Sequence, residues 1–386
     1  MAHTTLAALL AKWDPLPLAE LALELRWAQT NDRTFHLDLS EETAPEASRP
    51  SALRLFIPSV MTLANLLVGR YRNVPVTVSL PESRGLNLQL ARGGFFFALA
   101  NRDQVQWSGG TPDEWGDTKI AWAHSFHPDD SAMLREALVS AHDLERDSWV
   151  IRAAFQRYLL SLIHPHHRPA ASLHRELSLV AGRWLSGRLG GHSAREMQKT
   201  LADCLEVFYQ IVVNVPDHAA LRREPRGCSL GQVYVTLGGG RESHNRLHFS
   251  VLDNGTGLPH RVNDLYQDRQ RTSEEALSDA ILGHLPRRVG GRGVGLNLVR
   301  KIASEYAWGD RGVGGASRIC IVTNGDGADA ATYLDWHSGD AAPAVSTVPK
   351  LPVGGTLVWV SLGLEVTVPD DDPHQLELTF SEAATR

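Results

Sequence analysis

Cysteine is scarce in this chain. Cys204, Cys228 and Cys320 are the 3 in 386 residues, they lie far apart, and none belongs to a CxxC pair. That pattern fits a reducing compartment and offers no cysteine frame for zinc. A basic excess is also missing. The formal net charge is -6, so there is no global electrostatic footprint of a nucleic-acid binder. Arg222-Arg223 and Arg287-Arg288 read as solvated faces or as neighbours of a phosphate. No apolar run approaches the ~20 residues of a membrane helix. The apolar start, Leu6 to Leu10, has no basic stretch ahead of it and runs straight into Lys12 and Asp14, which is not the pattern of a signal peptide. The expectation is a soluble cytoplasmic protein with no membrane and no nucleic-acid partner. No internal repeat is evident.

What is present is an ordinary globular composition, 43% hydrophobic, in a chain long enough for two or three domains. Residues 5–28 have the leucine spacing of a helix around Pro15 and Pro17. Strands are expected at Thr34–Leu39, Ala52–Ile57 and Val74–Leu80, with helices at Val60–Arg70 and from Arg84 to Gly93. This βαβα alternation predicts an α/β unit with parallel strands over residues 1–110. Residues 111–192 are read as a helical connector that follows the Gly109–Gly116 boundary. A long helix from about Ser193 to Ala220 opens the last domain, 193–365, with strands near Gln232–Leu237 and Leu247–Leu252. Residues 366–386, with Asp370-Asp371-Asp372, read as a frayed acidic tail.

Four elements in the last domain carry chemistry. Gln210, Asn214 and His218 are spaced i, i+4, i+8 and share a helix face; the Asn214 carbonyl suits a Mg²⁺ ion beside a triphosphate. The strand Leu247–Leu252 runs into Asp253-Asn254-Gly255-Thr256-Gly257. A carboxylate there can accept from an adenine amino group, and Gly255 and Gly257 let the backbone turn beneath the base. Gly291-Arg292-Gly293-Val294-Gly295-Leu296 precedes a helical pattern to Tyr306, which suits a phosphate cradle at a helix N-terminus. Gly354-Gly355-Thr356 leads into the alternating strand Leu357–Leu362, where the Thr356 hydroxyl can reach an adenine-proximal water or the Asp253 carboxylate. Each alone is an ordinary turn or helix face. No Rossmann βαβ context surrounds the glycines, and no Gly-Lys-Ser/Thr follows them as in a Walker loop.

In this order the four elements resemble the GHKL (Bergerat-fold) superfamily of histidine kinase-like ATPases over about residues 193–363. The family pattern Glu-x-x-x-Asn, Asp-x-Gly-x-Gly, Gly-x-Gly-x-Gly-Leu and Gly-Thr falls on Gln210/Asn214, Asp253/Gly255/Gly257, Gly291/Gly293/Gly295/Leu296 and Gly355/Thr356. The resemblance implies an α/β sandwich, a mixed sheet with helices on one face. It implies ATP and Mg²⁺ as ligands, with Asn214 on the metal. Arg292, Val294 and the motif residues would lie around the nucleotide, and Leu258–Gly290 would form a mobile lid. One departure stands out: hydrolytic members place a glutamate where this chain has Gln210, which can orient a water but cannot take its proton. Glu206 lies one further turn from Asn214, about 6 Å along the axis, and is the nearest substitute base.

Residues 34–107 resemble a STAS domain at the level of pattern. That resemblance makes Ser59, at a helix start, the candidate phosphorylation site, with Thr62 a turn on. The cluster His164/His166/His167 and the segment His174-Arg175-Glu176-Leu177 read more simply as a loop and a solvated helix. Three functions stay open. The first is an ATP-responsive regulator whose lid closure controls a regulatory protein partner. The second is a serine/threonine or histidine protein kinase, or a slow ATPase. The third is a scaffold that binds no nucleotide. The resemblance also allows a homodimer through the helices at 129–190.

Overall fold

The computed structural model describes residue 9, residues 15–40, 55–83, 86, 87, 90, 95–100, 104–109 and 122–126, seven positions between 199 and 214, and then 231–238, 246–253, 255–266, 270–285, 295–306, 317–327 and 329–363. The histidine cluster at 164–167, the segment at 174–177 and the tail from 366 lie outside the described residues. Among the described residues no helix is long and apolar enough to cross a membrane.

The N-terminal unit holds α1 (Pro15–Thr30), β1 (Phe35–Asp38), α2 (Ile57–Val68), β2 (Val76–Ser79), α3 (Phe95–Ala100) and β3 (Val105–Ser108). The expected parallel pairing is found: β1, β2 and β3 form a three-stranded sheet in that order, and both pairings are parallel. Such pairing needs a crossover between successive strands, and α2 fills the first one. The expected strand Ala52–Ile57 is not there in its described part. Leu55 makes an isolated bridge and Ile57 already opens α2, with Pro58 in its first turn. Every described side chain of α2 from Ser59 to Leu67 is buried, so this helix is enclosed on all sides.

The second unit is a seven-stranded sheet in the order β4-β5-β6-β10-β7-β8-β9. Its strands are β4 (Trp122–Phe126), β5 (Gly231–Gly238), β6 (Arg246–Leu252), β7 (Arg318–Asn324), β8 (Ala330–His337), β9 (Ala344–Pro349) and β10 (Thr356–Gly363). Two expectations are corrected here. The sheet is not mixed: all six pairings are antiparallel. And Trp122–Phe126, placed in a helical connector by the sequence reading, is a strand paired with β5.

Helices α4 (Leu258–Asn263), α5 (Ser273–Leu282) and α6 (Gly295–Glu305) follow β6. Contacts of α4 with β7, and of α5 with β8 and β9, place these two helices on the sheet. The opposite face is covered as well. Leu252, Cys320, Val322, Tyr333, Leu357 and Trp359 alternate with the residues under the helices, and they share one apolar cluster with α1, α2 and the small sheet. Phe56 meets Trp359 edge to face at 5.4 Å, and the Arg318 guanidinium lies 4.6 Å from the Phe56 ring centroid. Arg318 is paired with Asp335 at 2.6 Å. Burial opposes ionisation of Asp335, but hydrogen bonds from His337 and Arg318 hold its carboxyl well below the usual range. The sheet is thus a middle layer, which is why β10 is buried along its whole length.

Candidate functional site

Asp253 follows the last residue of β6, on the face of the sheet that carries the helices. It is 8% exposed. The Gly255 amide donates to its Oδ1 at 2.8 Å, closing the Asp-Asn-Gly turn. Burial pushes the Asp253 carboxyl up to about 6, while the Gly255 and Thr356 amides pull the other way. A partly desolvated carboxylate of this kind is poised to accept from an amino group. Gly257 sits at φ 84° in the left-handed region, and a Cβ there would collide with Asn324 Oδ1, so the position admits only glycine.

Thr356 opens β10 beside that turn. Its main chain exchanges two hydrogen bonds with Asp253, amide of Asp253 to carbonyl of Thr356 at 3.0 Å and the reverse at 3.3 Å. Its hydroxyl differs from expectation. It accepts from the Leu258 amide at 2.9 Å and lies 3.1 Å from the Thr323 hydroxyl, with no hydrogen bond to the Asp253 carboxylate. Its single proton serves Thr323 or a ligand atom. Thr323 also accepts from Leu258 at 3.2 Å, and Asn324 Nδ2 donates to the Thr256 carbonyl at 3.0 Å. Thr323 and Asn324 belong to the site and were not found from sequence. Their strand has no motif, and only the register Thr356↔Thr323 brings them here.

Positions 199, 203, 206, 207, 210, 211 and 214 are helical, which places Gln210 and Asn214 on one helix as expected. Val207 and Ile211 are buried and seat this helix. It runs antiparallel to α6. At one end Lys199 contacts Glu305 at 2.7 Å and the Tyr306 hydroxyl donates to Asp203 at 2.6 Å. At the other end Gly295, the first residue of α6, faces Gln210 and Asn214. A Cβ on Gly295 would stand 2.8 Å from Gln210 Oε1 and 3.6 Å from Asn214 Oδ1. The N-terminus of α6 thus lies within contact distance of the Gln210 carbonyl oxygen, with the Asn214 carbonyl oxygen beside it. Gln210 Nε2 donates to Glu206 Oε1 at 2.7 Å, which turns the Gln210 carbonyl toward Gly295.

The structure thus joins Asp253, Gly255, Gly257 and Thr356 in one cluster, and Glu206, Gln210, Asn214 and Gly295 in another. Gly291, Arg292, Gly293 and Val294 lie outside the described residues. Leu296 is buried on the inner face of α6. The described part of the expected lid segment, Leu258–Gly290, holds α4 and α5. Leu258 is tied to two threonine hydroxyls. The α5 helix has a capping box at Thr272 and Glu275, and Ser273 bonds Asp326 through both amide and hydroxyl. Ser59 is fully buried, with no hydrogen-bond partner for its hydroxyl among the described residues, so a kinase cannot reach it in this fold.

The residues present fit a magnesium nucleotide. A buried carboxylate can accept from an amino group, Gly255 and Gly257 carry no side chain to crowd a base, and α6 presents a helix N-terminus of positive potential. Among the described residues no group of three or more His, Cys, Asp or Glu can hold a metal ion. Asn214 would then be the protein's oxygen on a Mg²⁺ that otherwise keeps phosphate and water ligands.

Residues 203–365 match the family model of histidine kinase-, DNA gyrase B-, and HSP90-like ATPases. No curated protein matches the chain. The family implies ATP binding of the ATPase or kinase-like kind, usually with Mg²⁺. The match covers less than half of the chain and stops short of residues 1–202, so a STAS-like N-terminal unit gains no support from it.

Proposed function

We propose that this protein binds MgATP in the domain at 193–365 and uses the bound state to control its contact with a regulatory protein partner. The observation that carries the reading is the seating of Gly295 against Gln210 and Asn214. It brings Gly295, the last glycine of its motif, to the residue pair that sequence alone could only place on a distant helix. In this reading Asp253 accepts from the adenine amino group, the α6 N-terminus faces the phosphates, and Asn214 completes the magnesium shell. The nucleotide supplies the polyphosphate charge and the metal. The chain positions it and excludes water from the base.

The signal leaves the site through Leu258. Its amide rests on the Thr356 and Thr323 hydroxyls, and α4 and α5 follow from it. A ligand that draws the Thr356 proton away from Thr323 breaks the hydroxyl pair on which the Leu258 amide rests, and the partner reads the outer faces of α4 and α5.

Fast hydrolysis is not part of the proposal, because Gln210 stands where the hydrolytic pattern has a glutamate and its amide is bonded to Glu206. The same observation keeps phosphotransfer as the second reading, since a protein acceptor can bring its own base. Isothermal titration with ATP, with and without Mg²⁺, followed by an overnight phosphate-release assay, separates the readings. Magnesium-dependent binding without release is expected, and Asp253→Asn should abolish it. Absence of binding would leave a scaffold and overturn the proposal.

A further inference from the structure

Asn65 is a buried amide on an otherwise apolar stretch of α2, in the N-terminal unit. Its side chain reaches across to the second unit. Asn65 Nδ2 donates to the Gly354 carbonyl at 3.1 Å, and Asn65 Oδ1 accepts from the Gly354 amide at 3.1 Å. This is the two-bond exchange that one strand residue makes with another in an antiparallel ladder, here supplied by a side chain. Burying an amide is costly unless both of its ends are paired, and an apolar side chain would satisfy packing at this position. The pairing at both ends, on a single residue, picks out that turn.

Gly354 is one residue from Gly355, which has φ 72°, and two from Thr356. Thr356 carries the exchange with Asp253 and the hydroxyl that holds the Leu258 amide. From Asn65 to Asp253 the link therefore runs through main-chain atoms of three consecutive residues, and no long side chain intervenes. On its own helix, the Asn65 carbonyl accepts from the Gly69 amide at 2.8 Å, so the end of α2 is fixed as well.

We propose that Asn65 is a positioning residue of the nucleotide site: from the N-terminal unit it holds the Gly354–Thr356 turn, and through that turn it sets the place of the carboxylate that reads the base. The proposal rests on the ATP reading above. It adds that the N-terminal unit belongs to the nucleotide site, so a movement of α2 is felt as a change in base affinity and base selectivity. A carboxylate that accepts from the adenine amino group meets a carbonyl oxygen when guanine is offered, so the ratio of ATP to GTP affinity reports how well Asp253 is placed.

The test is titration of the full-length protein and of Asn65→Ala with MgATP and MgGTP, with thermal melting alongside. Loss of two hydrogen bonds to the turn should weaken ATP by about three- to tenfold, and the ATP/GTP ratio should narrow because GTP loses less. A purely structural role would lower the melting temperature and leave the ratio unchanged, which would overturn the proposal. Asn65→Leu keeps nearly the same side-chain volume on the apolar stretch and loses both bonds to the turn. It should show the same narrowing, and it carries the test if the alanine variant does not fold. Wild-type protein that binds neither nucleotide would overturn the ATP reading and this inference together. Wild-type protein that prefers ATP, with variants that prefer it equally, would overturn this inference alone.

Discussion

Asp253 is held in the fold at a cost in stability. In the unfolded chain its carboxyl ionises near ~3.9, whereas in the fold burial pushes it up to about 6. Between those values the unfolded state has released a proton that the folded state still holds, so stability falls as pH rises and levels off above the folded value. The cost above that point is on the order of 3 kcal/mol. Asp253→Asn removes it while keeping an acceptor for the Gly255 amide. The variant should melt higher than wild type at pH 7.5, converge with it near pH 4, and bind no ATP; an unchanged melting curve at both pH values would mean that water reaches the carboxylate. Gln210 gives a second test at this scale. Gln210→Glu would set a carboxylate against Glu206, which already lies at 2.7 Å. Two such groups share a proton at neutral pH. Phosphate release should therefore rise only at alkaline pH in the single variant. It should rise by about 10²-fold at pH 7 when Glu206→Gln is added. Identical pH profiles for the two proteins would show that Glu206 does not govern position 210.

The helix α5 shows how an element is held over the site. Thr272 and Glu275 form a reciprocal capping box, and Glu274 and Glu275 lie in the first turn where the helix potential favours them. At its other end Gly283 adopts φ 81°, and a Cβ there would stand 2.7 Å from the Asn297 amide carbon. Asn297 and Arg300 of α6 both donate to the Ile281 carbonyl, so the C-terminus of α5 is closed by its neighbour. Thr272→Ala should lower stability by about 1 kcal/mol. Gly283→Ala should cost more, because backbone strain adds to the displacement of Asn297. Urea midpoints for the two variants decide this; equal midpoints would mean that Asn297 yields without loss. Part of this was legible beforehand. The strands β5, β6 and β10 and the helix α6 were read from alternation and from glycine at the helix start. The sequence reading does not reach the helices α4 and α5, because the family resemblance marks residues 258–290 only as a lid and no motif flags their helical spacing.

At the scale of the molecule, the N-terminal unit and the seven-stranded sheet share one core. Leu252, Cys320, Val322, Tyr333, Leu357 and Trp359 are covered by α1, α2 and the small sheet. Removing residues 1–110 would expose this face to water as one apolar patch, a known route to association. The fragment 111–386 should therefore aggregate or melt without a cooperative transition. The full chain should unfold in a single step with fluorescence and circular dichroism coinciding. A soluble monomeric fragment with the full chain's melting temperature would refute the shared core. Arg318 lies in the same layer, between Asp335 and the Phe56 ring, which ties the two units by charge as well as by packing.

The sequence by itself marked the residues of the candidate site. Asp253, Gly255, Gly257, Gly295, Asn214 and Thr356 could be named because each motif needs only a few contiguous residues with special backbone freedom or a special donor. Tertiary structure decided what those motifs rest on. Thr323 and Asn324 lie on a strand buried on both faces, where alternation vanishes and no pattern marks a polar residue as part of a site. That the sheet has a second covered face, and that Asn65 reaches Gly354 across 289 positions of chain, follows from packing between units. Hydrophobic periodicity says only that a face is buried; it does not say against what.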